Sequence, residues 1–469
     1  MNTIPSFSRR AMLQRTALGL GSLAFADLFA GEQASAPNPL APKQPHFAPR
    51  AKSVIFLFMD GGPGQMDTFD PKPRLNREHG HPLPFKEKSQ FVASGKVLGS
   101  PFQFAQHGRS GAWVSELFPH LAGCVDDLCF VRSMHHDQVS HANGCYLVHT
   151  GHMLAGRPSM GAWVTYGLGS ESQNLPGFVV INCGTIPSGG AQNFSNGFLP
   201  AIYQGTVFKS GANPLADVRP REDSARQLRK MDLVRRLDTH SIAERGGDTA
   251  LDAALSNYEM AFRMQSAVPE LSDLRGESQA TLKLYGIGEK TTDAFGRGCL
   301  MARRMVERGV RFVQVTTPDV GFNRWDQHQD LEKGHRANAA ATDRGAAGLI
   351  HDLKSRGLFK DTLVIWGGEF GRTPGAQAPR GAAPPSGRDH NPHGFTLWMA
   401  GGGAKPGLTF GATDDYGYAA IENKVHVHDL HATVLHLLGF DHERLTWRHA
   451  GRDFRLTDVS GEAVKGIMA

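Results

Sequence analysis

Residues 53–59 have the sequence Ser-Val-Ile-Phe-Leu-Phe-Met, and residues 60–64 continue the chain as Asp-Gly-Gly-Pro-Gly. The first segment is a continuous apolar run with the length of a β-strand, typical of a parallel strand that is covered on both faces. The second places a carboxylate, Asp60, directly after that strand, beside glycines that let the backbone approach other groups closely. Ligands bind at the carboxyl ends of strands in parallel α/β folds, so Asp60 is a candidate metal ligand. The alternative is a turn-forming Asp before two glycines.

Five more apolar runs are similar to the first, and segments with helical periodicity lie between them. The six predicted strands are 53–59, 128–132, 178–181, 310–316, 362–366 and 395–399. The predicted helices are 114–123, 142–150, 160–167, 225–244, 251–265, 293–308, 336–355 and 427–438. This alternation predicts an α/β fold with a parallel sheet wrapped by helices. The charged, helical segment 221–290 is predicted to be an insertion packed on the main domain.

The composition excludes several classes of protein. The chain has 469 residues, of which 40% are hydrophobic and 20% charged, so it can bury a substantial core and is not a disordered, collagen-like or disulfide-dense chain. Lys and Arg number 50 against 45 Asp and Glu, and an excess this small does not argue for nucleic-acid binding. The 22 histidines stand out, because histidine is both an acid–base group near neutral pH and the commonest metal ligand.

The N-terminus predicts export. Arg9 and Arg10 precede the apolar Met12 and Leu13, and a moderately apolar run follows at 17–30, a pattern typical of a twin-arginine signal. We expect 1–36 to be the signal segment and 37–50 a proline-rich linker. The run is too short and too rich in Gly and Ala for a stable membrane span, which needs about 20 apolar residues. The chain is therefore expected to leave the cytoplasm folded, through the twin-arginine machinery, for the periplasm or the extracellular space.

The five cysteines are odd in number and contain no CxxC pair, so they indicate no thiolate metal site. Cys124 and Cys129 could pair in an oxidising compartment. Buried free thiols are the alternative.

Three further polar clusters lie next to predicted strands. Trp325-Asp326-Gln327-His328 comes after the strand at 310–316, and Gly367-Gly368-Glu369-Phe370-Gly371-Arg372-Thr373-Pro374 follows the strand at 362–366. Gly387-Arg388-Asp389-His390-Asn391-Pro392-His393-Gly394 leads into the strand at 395–399. The alternative for the cluster at 325–328 is a solvated loop. For the cluster at 367–374 it is an Arg–Glu ion pair that closes a loop, and for the cluster at 387–394 it is a structural loop.

Taken together, the clusters predict one metal-binding edge of the sheet. The residues expected there are Asp60, Asp326, His328, Glu369 and His393, with His390 beside them. Carboxylate and imidazole ligands suit Zn, Mn or Fe, or Mg and Ca where oxygen predominates. Two ions about 4 Å apart would clamp the attacking and leaving oxygens of a phosphoryl or sulfuryl transfer. The helix expected to begin near His141 would favour an anion at its N-terminus.

The order of these motifs resembles the alkaline phosphatase and sulfatase superfamily over residues 51–455, and in particular its exported branch, domain of unknown function 1501. The resemblance implies a three-layer α/β/α alkaline phosphatase-like fold and one or two divalent ions (Zn, Mn, Mg or Ca). One ion would be held by Asp60 and Glu369, with His390, alone or with Asp389, completing the set; the alternative is that this second site is altered or absent. The other would be held by Asp326, His328 and His393.

The sequence departs from the superfamily at two positions. Phe370 stands where the second residue of an Asp–His ligand pair is usual, and a phenyl ring cannot bind a metal. Sulfatases place their nucleophile nine residues before a Thr-Gly pair, and counting back from Thr150-Gly151 gives His141. The alternatives for His141 are a covalent nucleophile, a metal ligand, or a residue that leaves the attack to metal-bound water. Arg372 or Arg388 would hold the free oxygens of the substrate.

The resulting functional prediction is an exported, metal-dependent hydrolase of phosphate or sulfate esters. Its substrate would be a small anionic ester or a sulfated or phosphorylated glycan. The alternative is a non-catalytic exported protein that keeps a metal and binds a glycan or a protein partner. A redox metalloprotein has less support, because the sequence contains no copper or haem motif.

Overall fold

The computed structural model describes residues 38–88, 90, 91, 93–216, 218, 222–244, 249–321, 323–378 and 386–469. The predicted signal segment 1–36 lies outside these residues. The chain divides into two units, 1–41 and 42–469. The described part of the first is a turn in which the N–H of Ala41 donates to the carbonyl of Asn38 at 2.9 Å. Among the described residues, none of the helices combines the length and apolar character that crossing a membrane requires.

The second unit contains eighteen strands and ten α-helices among its described residues. The strands are β1 Ser53–Phe58, β2 Ala93–Val97, β3 Phe104–His107, β4 Ala112–Ser115, β5 Leu128–His135, β6 Phe178–Asn182, β7 Thr206–Lys209, β8 Phe312–Thr316, β9 Thr362–Gly367, β10 Gly371–Gln377, β11 Arg388–Asn391, β12 Phe395–Ala400, β13 Leu408–Phe410, β14 Ala412–Thr413, β15 Ala420–Glu422, β16 Val425–His426, β17 Trp447–His449 and β18 Arg452–Phe454. The α-helices are α1 Gln65–Thr68, α2 Pro73–Arg77, α3 His141–Thr150, α4 Met160–Leu168, α5 Ser224–Glu244, α6 Thr249–Ser272, α7 Gln279–Tyr285, α8 Asp293–Glu307, α9 Leu331–Ser355 and α10 Val427–Leu437. Short 3₁₀ helices lie at Leu121–Asp127, Gly190–Phe194, Ala201–Tyr203, Leu274–Gly276, Phe359–Asp361 and Lys465–Ile467.

Nine of the strands form the central sheet, in the order β13-β5-β12-β9-β1-β8-β6-β7, with β16 also pairing with β5. Strand β12 is antiparallel to both neighbours, and the other pairs in this sheet are parallel. The predicted α/β fold with a mainly parallel sheet is therefore confirmed. Strand β1 lies between β8 and β9, in a register that pairs Phe58 with Thr316 and with Gly367. The carboxyl ends of these three strands thus lie side by side.

Successive side chains of a strand point to opposite faces of the sheet, so these apolar strands present apolar side chains on both faces. Helices cover both faces. On one face, the ring of His149 in α3 packs 4.5 Å from that of Phe58, and its imidazole lies 2.8 Å from the amide of Gln314. On the other face, Gly298 of α8 lies so close to Val315 that an added Cβ would be 3.1 Å from its side chain. Strands β1, β8, β9 and β12 are consequently buried along their whole length, as their near-continuous apolar sequences predict.

All six predicted strands are present in the central sheet, and seven of the eight predicted helices are present, with shifted ends. The helix predicted at 114–123 is wrong: residues 112–115 form β4, and the 3₁₀ helix begins only at Leu121. Pro119 interrupts that segment because it lacks a backbone donor. The short strands β7, β13 and β16 were not predicted, because two to four residues carry no usable period.

The segment predicted as a helical insertion contains α5, α6 and α7. Met260, Met264, Val268 and Leu271 of α6 are buried at helical spacing, so one face of this helix packs inward. The domain boundaries proposed from the sequence stay a prediction. The five cysteines are all free and buried, so Cys124 and Cys129 form no disulfide.

Two buried histidines behind the sheet couple stability to pH. Burial lowers the pKa of His149 to about 4 and that of His431 to about 3. Each remains neutral at pH 7 and makes a fixed contact with α3: His149 Nδ1 with the carbonyl of Cys145 at 2.7 Å, and His431 Nε2 with that of Val148 at 2.7 Å. In the unfolded chain these two histidines take up protons near pH 6.5, whereas in the folded chain they stay neutral to a lower pH. Their contribution to stability is therefore complete above pH 6.5 and is lost as the pH falls below it.

We expect His431→Gln to reduce the acid sensitivity of folding. Between pH 7 and pH 5, His431 should account for roughly 2 kcal/mol of lost unfolding free energy, and glutamine does not titrate while its amide can still donate to Val148. Urea denaturation at the two pH values measures the difference. The exposed His81→Gln is the matched control and should behave as the wild type. Equal losses in the wild type and in His431→Gln would contradict this account.

Candidate functional site

The candidate site lies where β1, β8 and β9 end together. Asp60 lies two residues after β1, and its N–H donates to Thr317 Oγ1 at 3.0 Å, directly beyond β8. Glu369 lies two residues after β9, and its Oε1 accepts the N–H of Gly61 at 3.0 Å. The loop after β8 returns over this edge, since the N–H of Trp325 contacts the carbonyl of Asp60 at 3.3 Å. Sheet topology alone therefore gathers candidates that lie more than 300 residues apart.

Gly61 makes this approach possible. Its φ is +106°, and a Cβ there would lie 2.8 Å from the backbone nitrogens of both Trp325 and Asp326. Glycine is thus required at position 61 for two reasons, the positive φ of the turn and the close approach of the loop backbone at Trp325 and Asp326.

Three imidazoles converge on one oxygen of Asp326. The Nε2 atoms of His328, His141 and His390 lie 2.8, 3.1 and 3.2 Å from Asp326 Oδ1. These residues come from the loop after β8, the first turn of α3, and β11. Strand β11 pairs antiparallel with β10, in a register that pairs His390 with Arg372 and carries it over the ends of the main strands. We call these four residues the histidine group.

The other ring nitrogen of each of these histidines has an acceptor of its own. His141 Nδ1 contacts Glu369 Oε1 at 2.5 Å, and His328 Nδ1 contacts Gln377 Oε1. His390 Nδ1 lies 2.7 Å from the carbonyl of Val139. Acceptors at Nδ1 hold a proton on that nitrogen, so Nε2 is the atom that would bind a metal, with release of any proton that it carries.

The histidine group fits a divalent metal ion. Its four ligand atoms lie within 4.8 Å of one another. Ligands of a tetrahedral zinc ion with bonds of about 2.0–2.1 Å lie roughly 3.3 Å apart, close to the distances of 2.8–3.2 Å between Asp326 Oδ1 and the three imidazole nitrogens. The Nε2 of His141 is buried and lies 3.1 Å from Asp326 Oδ1 without the angles of a hydrogen bond, as expected of two ligands that share an ion. Three nitrogens and one oxygen favour Zn, Mn or Fe over Mg or Ca.

The electrostatics of the histidine group follow from one buried carboxylate. Burial alone would raise the pKa of Asp326, but Arg372 and the three histidines outweigh it and hold that pKa far below its usual range. Burial likewise lowers the pKa of His141, yet the carboxylates of Asp326 and Glu369 raise it overall to about 9. Burial lowers the pKa of His390 to about 4. Asp326 therefore stays ionised at any physiological pH.

A cleft of about 420 Å³ opens onto the histidine group. It is lined by Phe91, Asn323, Asp326, His328 and Gln377 among others. The side-chain amide of Asn323 donates to Asp326 Oδ2 at 2.9 Å, which leaves Oδ1 directed at the histidines. A small polar molecule can thus reach these ligands from solvent.

A second group consists of Asp60, Cys145 and Glu369, whose ligand atoms also lie within 4.8 Å of one another. Cys145 Sγ lies 3.6 Å from Asp60 Oδ1, and Asp60 Oδ2 forms an ion pair with Arg324. All three members are buried. We call these three residues the thiol group, and His141 links it to the histidine group.

The structure places the remaining sequence candidates outside both groups. Arg372 is buried, lies 2.6 Å from Asp326 Oδ1, and donates from Nε to the carbonyl of Gly62 at 2.9 Å. Arg388 is buried in an ion pair with Asp67 at 2.8 Å. Asp389 Oδ2 accepts the N–H of Phe91 at 2.6 Å, and His393 packs 5.5 Å from the ring of Tyr418. The roles predicted for Arg388, Asp389 and His393 stay predictions, and the structure groups His390 with Asp326 rather than with Asp60.

Sequence reasoning missed Cys145 and Arg324. Cys145 lies four residues after His141, and that spacing places both on one face of α3, so helical periodicity could have found it. Arg324 lies next to Trp325 without any local signal, because its orientation depends on the backbone conformation of the loop.

We expect Gly61→Ala to lower the unfolding free energy by roughly 3 kcal/mol or more, because backbone strain adds to a collision with the loop at Trp325. Gly80→Ala is the matched control: its φ is +80°, but no atom lies within 4 Å of an added Cβ. Chemical denaturation of both variants separates the collision from the conformational cost. Equal losses would show that the close approach at Gly61 is not needed.

Comparison with solved structures finds similarities to sulfatases and phosphatases. Ps i-CgsB in complex with k-i-k-neocarrahexaose is 10% identical, with 85% of this chain and 72% of that chain covered and a TM-score of 0.38. The alkaline phosphatase from the Antarctic bacterium TAB5 is 10% identical, with 78% and 95% covered and a TM-score of 0.34. The PsFucS1 sulfatase from Pseudoalteromonas sp. is 12% identical, with 84% and 69% covered and a TM-score of 0.31.

Among curated proteins, none matches this sequence significantly. A family model does match, and it spans residues 51–468, which include every metal-ligand motif named from the sequence. The chain therefore belongs to the family described as "protein of unknown function (DUF1501)".

Proposed function

We propose that this protein is a metal-dependent hydrolase of phosphate or sulfate esters that binds its ion at the histidine group. The observation that carries the proposal is the convergence of three imidazole Nε2 atoms within 3.2 Å of Asp326 Oδ1. Outer acceptors for each Nδ1 are the arrangement by which proteins prepare histidines for a metal. In a cluster of histidines that only packs, nothing would require all three rings to direct Nε2 at the same carboxylate oxygen.

A divalent ion at this group would serve as a Lewis acid toward the oxygens of an ester. His141 uses both ring nitrogens, one toward Glu369 and one toward Asp326, so it serves as a ligand and not as a nucleophile. It lies in the first turn of α3, a ten-residue helix whose N-terminal dipole favours an anionic substrate. Arg372 contacts Asp326 Oδ1 at 2.6 Å and so holds that carboxylate in place, and the substrate-binding role predicted for it from the sequence stays a prediction.

The substrate class follows from the cleft and from the motifs. A volume of about 420 Å³ admits a small anionic ester or the terminal residue of a sulfated or phosphorylated glycan. The order of the metal-ligand motifs resembles that of alkaline phosphatases and sulfatases, and the alkaline phosphatase-like assignment is part of this proposal. Export by the twin-arginine route is also part of it, on the basis of Arg9 and Arg10 and the apolar run that follows.

We expect Asp326→Asn to abolish hydrolysis and to weaken metal binding by more than about 100-fold. Loss of a residue that only hydrogen-bonds to a metal ligand costs up to about 100-fold in affinity, and Asp326 would be a ligand itself. Metal analysis of the purified chain, with assays on an aryl phosphate and an aryl sulfate, measures both effects. His393→Ala is the matched control, because His393 lies outside the histidine group, and it should retain its metal.

Three results would contradict the proposal. A folded wild-type chain that binds no divalent ion would exclude the metal site. A chain that binds an ion at the histidine group but hydrolyses neither ester would instead support the alternative, a metal-containing binding protein. Loss of metal in His393→Ala together with retention in Asp326→Asn would move the site away from the histidine group.

A further inference from the structure

The thiol group differs from the histidine group in what already surrounds its charges. Glu369 Oε1 contacts His141 Nδ1 at 2.5 Å and the N–H of Gly61 at 3.0 Å. Asp60 Oδ2 pairs with the guanidinium of Arg324, and Asp60 Oδ1 accepts the N–H of Ser188 at 3.3 Å. Both carboxylates thus have partners supplied by the chain itself.

Phe370 removes a further ligand from this group. Its ring lies 4.9 Å from that of His141 and 4.7 Å from that of His390, and a Cβ on Gly62 would be 2.8 Å from it. An apolar ring that cannot coordinate a cation therefore packs against the imidazoles of the histidine group. The thiol group lacks the imidazole ligands that make the histidine group fit a metal.

The backbone of Arg324 is held in an unusual conformation that directs its side chain at Asp60. Its φ is +44°, in the left-handed region, which costs a residue other than glycine roughly 1–3 kcal/mol. Its carbonyl accepts hydrogen bonds from the buried amides of Gln327 and Asn338, which fix the loop. Its guanidinium also reaches the carbonyl of Ile186 at 3.3 Å, and 27% of the side chain remains exposed. Conformational strain that the surroundings enforce is typical of functional positions.

We propose that Arg324 is the second cation of this site: its guanidinium takes the place of a second metal ion beside Asp60, so the protein works with one metal ion per chain. The inference rests on the proposed function, because Arg324 would complement the ion at the histidine group. A guanidinium is permanently charged and carries several N–H donors, so it neutralises Asp60 and offers donors to an anionic oxygen without dissociating.

Cys145 makes the proposal measurable. In the thiol group it acts as a weak donor to Asp60, at 3.6 Å. A metal ion bound there would convert the thiol into a thiolate ligand. Cobalt bound to a thiolate has a charge-transfer absorption that cobalt bound only to nitrogen and oxygen lacks. Cobalt binding therefore distinguishes the two groups by spectrum as well as by stoichiometry.

The experiment loads the purified full chain with excess Co²⁺ and measures bound metal and absorption. We expect one ion and no thiolate band for the wild type. In Arg324→Gly, which fits the left-handed backbone and removes the guanidinium, we expect two ions and a thiolate band. Arg324→Lys, the control that keeps the charge, should bind one ion, and the double variant with Cys145→Ser should lose the band.

The outcomes separate this inference from the proposed function. A wild-type chain with two ions, or with a thiolate band, overturns the role of Arg324 but leaves a metal-dependent hydrolase. An Arg324→Gly chain that still binds one ion also overturns it, because the guanidinium would then not exclude the second metal. A wild-type chain that binds no cobalt overturns the proposed function, and the inference falls with it.

Discussion

The burial of negative charge at the ends of three neighbouring strands governs the rest of this site. Asp60 and Glu369 are inaccessible to water, and Asp326 is partly buried, with 15% of its side chain exposed at the cleft. An unpaired buried carboxylate costs several kcal/mol, so each must be matched by a cation or by donated hydrogen bonds. The chain supplies them from distant positions: backbone N–H groups from the Asp-Gly-Gly turn, guanidinium groups from Arg324 and Arg372, and imidazoles from three separate elements. The loops at this edge of the sheet therefore take the conformations that bring these partners to the buried carboxylates.

Much of the fold could be predicted from the sequence, because its central strands are apolar throughout and carry their polar residues just beyond their ends. That rule placed Asp60 and Glu369 next to the ends of β1 and β9, where the structure has them, whereas Asp326 lies in the longer loop after β8. His390 was assigned to a different partner because it is positioned by the antiparallel pairing of β10 with β11, and short strands leave no periodic signal. Arg324 could not be found at all, because its ion pair with Asp60 depends on a positive φ at Arg324 that nothing in the neighbouring sequence encodes.

The three histidines come from a helix start, a loop and a small second sheet, so their convergence depends on tertiary structure. None of them lies at the i, i+4 spacing that makes many metal sites visible in a sequence. An ion that binds only the folded arrangement contributes its binding energy to folding, so metal binding and stability are expected to be linked here. Outer contacts to Glu369, Gln377 and Val139 reduce the reorganisation that binding would otherwise require.

The sulfur chemistry of the chain has a consequence of its own. Every cysteine is buried, and each thiol is enclosed by the packing of the folded unit. A chain that folds before it meets an oxidising environment presents no sulfur to disulfide-forming enzymes, whereas an extended chain would present five to them at once. The order of folding and oxidation therefore decides whether this sequence yields one product or a mixture of cross-linked isomers.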